Sequence, residues 1–194
     1  MKRLPQLLMA LSILALLSLY KLPLWRITLV APQYPTGVNM DIWINKIGGD
    51  NPGTLQNINI LNHYVGMKMI EPDSIPELRY FPYVILALAG LGLLALVINK
   101  PWAYLSWAVL VILLATIGIY DFYLWEYEYG HNLSPTAPIK VPGATYQPPL
   151  FGKKTILNFT AYSYPHSGGL LAGISIILAL AAYWFKRKRH EIRN

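Results

Sequence analysis

Two apolar stretches joined by a short basic turn decide the fold: "YVILALAGLGLLALVI" at residues 83–98 and "WAYLSWAVLVILLATIGIY" at residues 102–120. Neither stretch contains a charged residue, and the turn between them is only "NKP". A helix with a rise of 1.5 Å per residue needs about 20 apolar residues to cross about 30 Å of hydrocarbon. The pattern therefore predicts a tight hairpin of two membrane-spanning helices.

Two further apolar stretches lie near the ends of the chain: "LPQLLMALSILALLSL" at residues 4–19 and "GGLLAGISIILALAAYWF" at residues 168–185. The basic "MKR" before the first stretch is typical of a signal peptide, but no small-residue cleavage site follows before Lys21. We therefore interpret the first stretch as an uncleaved anchor, and the sequence predicts four transmembrane helices.

The basic residues predict the orientation of these helices. Residues 1–3, 99–101 and 186–194 hold eight of the sixteen Lys and Arg residues and a single acid, Glu191, which accounts for the whole net charge of +7. Basic residues concentrate in the cytoplasmic loops of membrane proteins. We therefore expect a multi-pass protein of the inner (cytoplasmic) membrane, with both termini in the cytoplasm and the lipid bilayer as a partner. No nucleic-acid-binding motif is present, so we expect no nucleic-acid partner.

The predicted fold class is a membrane α-helical protein with four transmembrane helices and a small α+β extracytoplasmic cap formed by two long loops. Five segments are expected: helix 1 at 1–19, the first cap segment at 20–82, helices 2 and 3 at 83–120, the second cap segment at 121–167, and helix 4 with its basic tail at 168–194. The two cap segments carry most of the residues suited to chemistry.

Local patterns predict the elements of the cap. Alternation in "LWRITLVAP" and "VNMDIWINKI" predicts two strands, and "TILNFTAYSY" predicts a further one. Helical spacing of apolar residues in "TLQNINILNHYVGMKM" predicts a helix starting at Asn51-Pro52. We expect Pro72, Pro76 and Pro82 to keep the return to the membrane extended, and "IYDFYLWEYEYGHN" to be a helix that crosses the lipid interface.

The stretch "LNHYVGMKM", residues 61–69, is the first candidate site. His63 and Met67 share a face if the helix continues through them, and Met69 joins them only if the helix ends near Gly66. The chain has no cysteine. Imidazole with thioether is a soft ligand set that favours copper, especially Cu(I). The alternative is that these residues are packing residues without a metal.

A second candidate lies in "YDFYLWEYEYGHN", which contains Asp121, Glu126 and His131. These residues would supply hard ligands or a proton path in one interpretation. In the other, which we favour, they form a polar rim that holds the cap on the helices by hydrogen bonds. His166, just before the last apolar stretch, is interpreted as an interfacial residue.

Long stretches of both cap segments resemble a family of small bacterial membrane proteins encoded beside nitrous oxide reductase and its copper-maturation genes. The resemblance is carried by "PLWRITLVAPQYPTGVNMDIWINKI", "LQNINILNHYVGMKMI", "IPELRYFP" and "YDFYLWEYEYGHNLSPTAPIKVPG" with "YQPPLFGKKTILNFTAYSYP". It implies an accessory protein that binds or relays copper for a periplasmic cuproenzyme such as nitrous oxide reductase, with that enzyme or a copper chaperone as partner. The matching positions suited to copper are His63, Met67, Met69 and His131.

Two other functions remain open. In one, the protein is a non-catalytic membrane subunit or docking platform without a metal of its own, and aromatic residues expected at its surface form the interface. Those aromatic residues are Trp25, Tyr34, Trp43, Trp125 and Tyr146. In the other, the protein is an enzyme, which we do not expect because no nucleophile–base pair is recognisable.

Overall fold

Four helices pack side by side into a bundle, and a five-stranded sheet with one further helix forms a cap at one end. The structure is a computed structural model that describes residues 3–191, with side chains as far as Lys188. The bundle consists of α1 (Leu4–Leu17, continued by a 3-10 turn at Ser18–Tyr20), α3 (Glu77–Ile98), α4 (Pro101–His131) and α5 (Ser167–Glu191). In the cap, α2 is Thr54–Val65.

Three of the bundle helices are long and apolar enough to cross a membrane: Glu77–Ile98, Pro101–His131 and Ser167–Lys188. The apolar helix Leu4–Tyr20 is shorter than these three. The structure is therefore that of a mixed helix-and-sheet protein with three helices of membrane-spanning length, and the predicted fourth span stays a prediction. Within the bundle α1 is well packed, because Met9 and Leu16 are almost fully buried and the Ser12 hydroxyl donates to the Ser175 carbonyl oxygen at 2.6 Å.

The hairpin between α3 and α4 turns at Asn99, which has a left-handed backbone with φ of 51°. The start of α3 differs from the prediction, because the helix begins at Glu77 and includes Pro82 instead of leaving it extended. Proline costs a helix one backbone hydrogen bond and is best tolerated near its beginning. Since Pro82 falls in the second turn, the helix loses little and extends the apolar span towards the cap.

The cap sheet is antiparallel throughout, with the strand order β3-β2-β1-β5-β4. Its strands are β1 (Trp25–Ala31), β2 (Tyr34–Ile42), β3 (Ile47–Gly49), β4 (Gly152–Ile156) and β5 (Phe159–Pro165). The strand predicted in "LWRITLVAP" is confirmed as β1. The two other predicted strands are each divided in two, into β2 with β3 and β4 with β5, because turns interrupt them.

Strand β1 lies at the centre of the sheet and joins the two cap segments, since Ile27 pairs with Met40 on one side and with Ser163 on the other. One face of the sheet is apolar, with Ile27 and Met40 in its core. On the other face the Arg26 guanidinium forms a two-pronged ion pair with Asp41 at 2.6 and 2.7 Å. This alternation fixes which face of the sheet is available to build a site.

Helix α2 packs against the apolar face and ends where Gly66 adopts a left-handed conformation, with φ of 83°. The helix predicted here is confirmed, although it begins at Thr54, after the turn that contains Asn51 and Pro52, and stops at Val65. A left-handed glycine is the commonest way for a helix to end. Met67 and Met69 therefore follow the helix instead of extending it.

Candidate functional site

The predicted copper donors of the first cap segment lie around the end of α2. His63 is exposed in the last turn of α2, with its ring edge-on to that of Tyr64. Met67 is half-buried, whereas the side chain of Met69 is 58% exposed. Because the helix ends at Val65, helical spacing does not place Met67 on the face of His63. The helix end near Gly66, which is the condition for Met69 to join the site, is observed.

The two cap segments touch each other at this place. The end of α2 and the residues that follow it bond to the end of α4 and to the loop after α4, and we call this contact the α2–α4 junction. The Ser134 amide donates to the Gly66 carbonyl at 2.8 Å and the Ile139 amide donates to that of Tyr64 at 2.9 Å. A further contact is the ion pair between Lys68 and Glu128. The first segment's soft donors therefore adjoin the segment that carries His131.

The orientation of His131 suits a metal ligand. Its exposed ring stacks on the Tyr127 ring with centroids 3.9 Å apart, and its Nδ1 lies 3.0 Å from the Tyr127 carbonyl oxygen. The tautomer protonated at Nδ1 donates this hydrogen bond and leaves Nε2 with a free lone pair. Metal-binding histidines use their second nitrogen in this way, because the bond fixes the tautomer and the ring.

Among the side chains that the structure describes, no three His, Asp or Glu residues converge to hold a metal ion. The expectation of Cu(I) rests on the imidazole and thioether donor types of His63, Met67, Met69 and His131. The fourth histidine of the chain, His190, has no described side chain, and His166 is half-buried beside the start of α5, with its Nδ1 2.9 Å from the Ser167 hydroxyl.

A larger feature, which the sequence did not predict, is a cavity of about 550 Å³ inside the cap. We call it the cap cavity. It lies between the apolar face of the sheet, α2, the end of α4 and the loop that follows α4. Its lining includes these residues from all four: Ile27, Met40, Ile58, Leu61, Met67, Glu126, Ile139, Tyr146, Phe159 and Ala161.

The length of α4 places Glu126 at this cavity. With 31 residues α4 is about 46 Å long, whereas about 30 Å crosses the hydrocarbon. Its last turns therefore extend into the cap, where Phe122, Trp125 and Tyr129 face the sheet and Trp25 contacts Phe122 edge-on. Glu126 is one turn before Gly130 on the adjoining face, and its side chain is fully buried.

Gly130 holds the loop after α4 over Glu126. A Cβ atom at Gly130 would lie 2.3 Å from the Gln147 backbone, so only glycine fits there. The Tyr146 amide donates to the Gly130 carbonyl at 2.9 Å, and the Tyr146 side chain is only 2% exposed. The same close approach therefore brings a tyrosine hydroxyl and a carboxyl group into one apolar chamber.

The polar rim predicted for this region is wrong for Glu126. Both of its carboxyl oxygens are buried without a hydrogen-bond partner, as is the Tyr146 hydroxyl. Burial raises the pKa of Glu126 to about 8, although the positive charge of Lys154 acts in the opposite direction. Above the membrane-spanning part of α4, Glu126 is therefore a neutral acid near pH 7 that is able to donate a hydrogen bond as well as to accept one.

The aromatic residues expected at the surface lie elsewhere. None of Trp25, Tyr34, Trp43, Trp125 and Tyr146 is exposed, because the sheet, α4 and the following loop cover them. Burial of Tyr146 and Glu126 escapes sequence reasoning because it depends on how the loop after α4 folds back on the end of α4. The available signal is the spacing of Glu126 and Gly130, four residues apart in an aromatic helix.

The fold and site define a class: a mixed helix-and-sheet protein with three membrane-length helices and a cap that contains both a histidine–methionine junction and an apolar cavity. Neither the comparison with protein-family models nor that with curated proteins finds a match to this chain.

Proposed function

We propose that the protein is an accessory protein of the inner membrane that binds or relays Cu(I) on the periplasmic side for assembly of a cuproenzyme such as nitrous oxide reductase. His63, Met67 and Met69 supply donors from the first cap segment, and His131 supplies one from the second. The observation that carries the proposal is the α2–α4 junction, where backbone hydrogen bonds from Ser134 to Gly66 and from Ile139 to Tyr64 join the two segments close in sequence to the donors. In this proposal α1 is the fourth transmembrane helix, and both termini are cytoplasmic.

The exposure of the donors supports a relay more than permanent storage. His63, Met69 and His131 are on the surface, where a partner protein reaches them without opening the fold. Thioether and imidazole ligands also hold copper in an oxidising compartment without a thiol that would itself be oxidised. Cu(I), when bound, is therefore the cargo that the junction presents to a copper chaperone or to the recipient enzyme.

A Cu(I) titration of the full chain in detergent against a chromophoric chelator tests the proposal. We expect one-to-one binding, weakened more than tenfold in the His63→Ala/Met67→Ala double variant and in His131→Ala, because each loses donors. The matched controls are Met40→Leu, a buried methionine of the sheet, and His166→Ala, a histidine outside the junction. If the double variant binds copper with unchanged stoichiometry, the junction is not the copper site.

Exposed apolar side chains at the junction support a second candidate function, a docking platform without a metal. Ile60, Tyr64, Met69 and Tyr127 are each about half exposed around the end of α2 and α4. Such a cluster is typical of a contact surface for another protein. This function predicts co-purification of a membrane or periplasmic partner in mild detergent, reduced by Ile60→Asp with Tyr64→Asp, and recovery of the chain alone would contradict it.

A further inference from the structure

The cap cavity has the size and lining of a binding site for a small molecule. Its volume of about 550 Å³ falls within the range of ligand pockets, about 300–1,000 Å³. Most of its lining is aliphatic or aromatic, and it draws on the sheet, on α2, on α4 and on the loop after α4. Close-packed interiors rarely leave so much space unfilled, so we expect a molecule to occupy the cavity.

Two polar groups at the cavity have no partner in the part of the chain that the structure describes. They are the Glu126 carboxyl group and the Tyr146 hydroxyl. Buried polar groups are nearly always hydrogen-bonded, because leaving them unpaired away from water is costly. Because these groups line one chamber, a single bound molecule can form hydrogen bonds with both of them.

The hydrogen-bonding capacity of these groups determines which functional group the occupant must carry. The neutral carboxyl group and the hydroxyl can both donate hydrogen bonds, so the occupant must accept them. Among the described residues that line the cavity there is no Lys, Arg or His to balance an anion. The Lys154 ammonium instead donates to the Gln147 carbonyl at 3.0 Å. A neutral carbonyl oxygen on an apolar body meets these requirements.

The entrance to the cavity is mixed in polarity. The exposed lining residues are the apolar or aromatic Tyr64, Ile139 and Leu157 and the polar Gln33 and Asn158, so these residues mark its mouth. Leu157 occupies the turn between β4 and β5 with a left-handed backbone, φ of 55°, which is uncommon and costly for a bulky residue. The turn thus presents an apolar side chain at the mouth, where a glycine or asparagine would satisfy the backbone better.

We propose that the cap cavity binds a neutral apolar molecule whose carbonyl oxygen accepts hydrogen bonds from Glu126 and Tyr146. This site shares the lining residue Met67 with the proposed copper donors, but its hydrogen-bonding groups are Glu126 and Tyr146, so it stands whether or not the junction binds copper.

Photolabelling of the full chain in lipid nanodiscs with benzophenone tests the site. Benzophenone is itself an apolar carbonyl compound, and on irradiation it inserts into neighbouring C–H bonds. We expect labelled peptides to include Met40 and Met67, which line the cavity from the sheet and from the end of α2. Labelling confined to the membrane-spanning helices would overturn the proposal, because the cavity would then hold only water.

Competition with two molecules of matched shape tests the chemical class of the occupant. Fluorenone carries a carbonyl group where fluorene carries a methylene group. We expect fluorenone to suppress cavity labelling at concentrations about tenfold lower than fluorene, as hydrogen bonds to a buried carbonyl would give. Equal competition by the two would contradict the assigned role of the polar groups.

Two variants separate binding from folding. Tyr146→Phe removes one hydroxyl, and it should reduce the ratio of the fluorene and fluorenone concentrations that suppress labelling about threefold or more. Tyr162→Phe, on the polar face of the sheet, should leave this ratio unchanged. Leu61→Trp fills the cavity without touching a polar group and should abolish labelling of Met40 and Met67 while the circular dichroism spectrum is kept. Full cavity labelling in Leu61→Trp would place the label elsewhere and overturn the proposal.

Discussion

Glu126 makes the stability of the cap depend on pH. Its pKa is about 8 in the folded protein, against an ordinary value of 4.5, because burial disfavours the charged form. The folded state therefore keeps a proton that the unfolded state releases between these values. Stability is fully present below about pH 4.5 and falls by up to about 1.4 kcal/mol per pH unit until about pH 8.

The Glu126→Gln variant should remove this dependence, because glutamine keeps the shape of the side chain and does not titrate. We expect thermal unfolding of the wild type to shift to lower temperature from pH 5 to pH 8, and the variant to shift much less. Glu71→Gln is the matched control, since Glu71 is exposed. Equal pH slopes for the wild type and Glu126→Gln would show that the carboxyl group is solvated after all.

Single-residue chemistry was only partly predictable. The soft donors His63, Met67, Met69 and His131 are evident in the sequence, because donor type is a property of each residue. Their surroundings are not, since the conformation of Gly66 decides where α2 ends and hence which side chains share a face. Glu126 is predicted as part of a hydrogen-bonded polar rim, because its spacing from Gly130 is the one local indication of a buried acid.

At the scale of elements, α4 and the loop after it meet through a single glycine. In Gly130→Ala the new methyl group would lie 2.3 Å from the Gln147 backbone, so the loop must move away and Tyr146 with it. We expect a loss of about 1–3 kcal/mol in the free energy of unfolding of the cap, as for other overpacked positions in cores.

Gly118→Ala in the same helix is the control for this prediction. The Cβ atom there would have only the Phe81 ring near it, at 3.9 Å, and alanine favours a helix over glycine by about 1 kcal/mol. In chemical denaturation followed by tryptophan fluorescence, Gly130→Ala should therefore lower the free energy of unfolding and Gly118→Ala should raise it. If both alanine variants behave alike, the loop is not held against α4 as described.

The elements were largely predictable because hydrophobic periodicity is local information. Strand β1, helix α2 and the long helix through "YDFYLWEYEYGH" follow from spacing alone. The exceptions have local causes of another kind. Pro82 is accommodated in the second turn of α3, and the left-handed turn at Leu157 divides one predicted strand into β4 and β5.

For the whole molecule, topology can be tested cleanly because the chain has no cysteine of its own. A variant with a single introduced cysteine, labelled in intact cells or inverted vesicles, reports the accessibility of that one position without labelling elsewhere in the chain. With four spans and cytoplasmic termini, Thr36→Cys in the cap should react with an impermeant maleimide from outside. Lys100→Cys in the α3–α4 turn and Arg3→Cys before α1 should react only after the membrane is opened.

Arg3→Cys is the decisive position, because α1 is shorter than the three helices of membrane-spanning length. Reaction of Arg3→Cys from outside, with Lys100→Cys still protected, would mean that α1 does not cross. In that case α1, which is buried against α5, would be a helix that packs in the bundle without crossing the membrane. Tertiary contacts of this kind, like the junction and the cap cavity, join parts far apart in the chain and so lie beyond local patterns.

The central position of β1 has a consequence for how the protein is made. The Trp25 indole donates a hydrogen bond to the Ser163 hydroxyl of β5, and the two residues are 138 positions apart in the chain. At about 5–20 residues per second, the ribosome therefore synthesises Ser163 roughly 7 to 28 s after Trp25. During that interval β1 and β2 can pair, β3 can add to β2 and α2 can cover their apolar face, but the edge of β1 that later pairs with β5 stays open. A nascent chain stalled before β5 is therefore an expected substrate for chaperones and quality-control proteases outside the membrane.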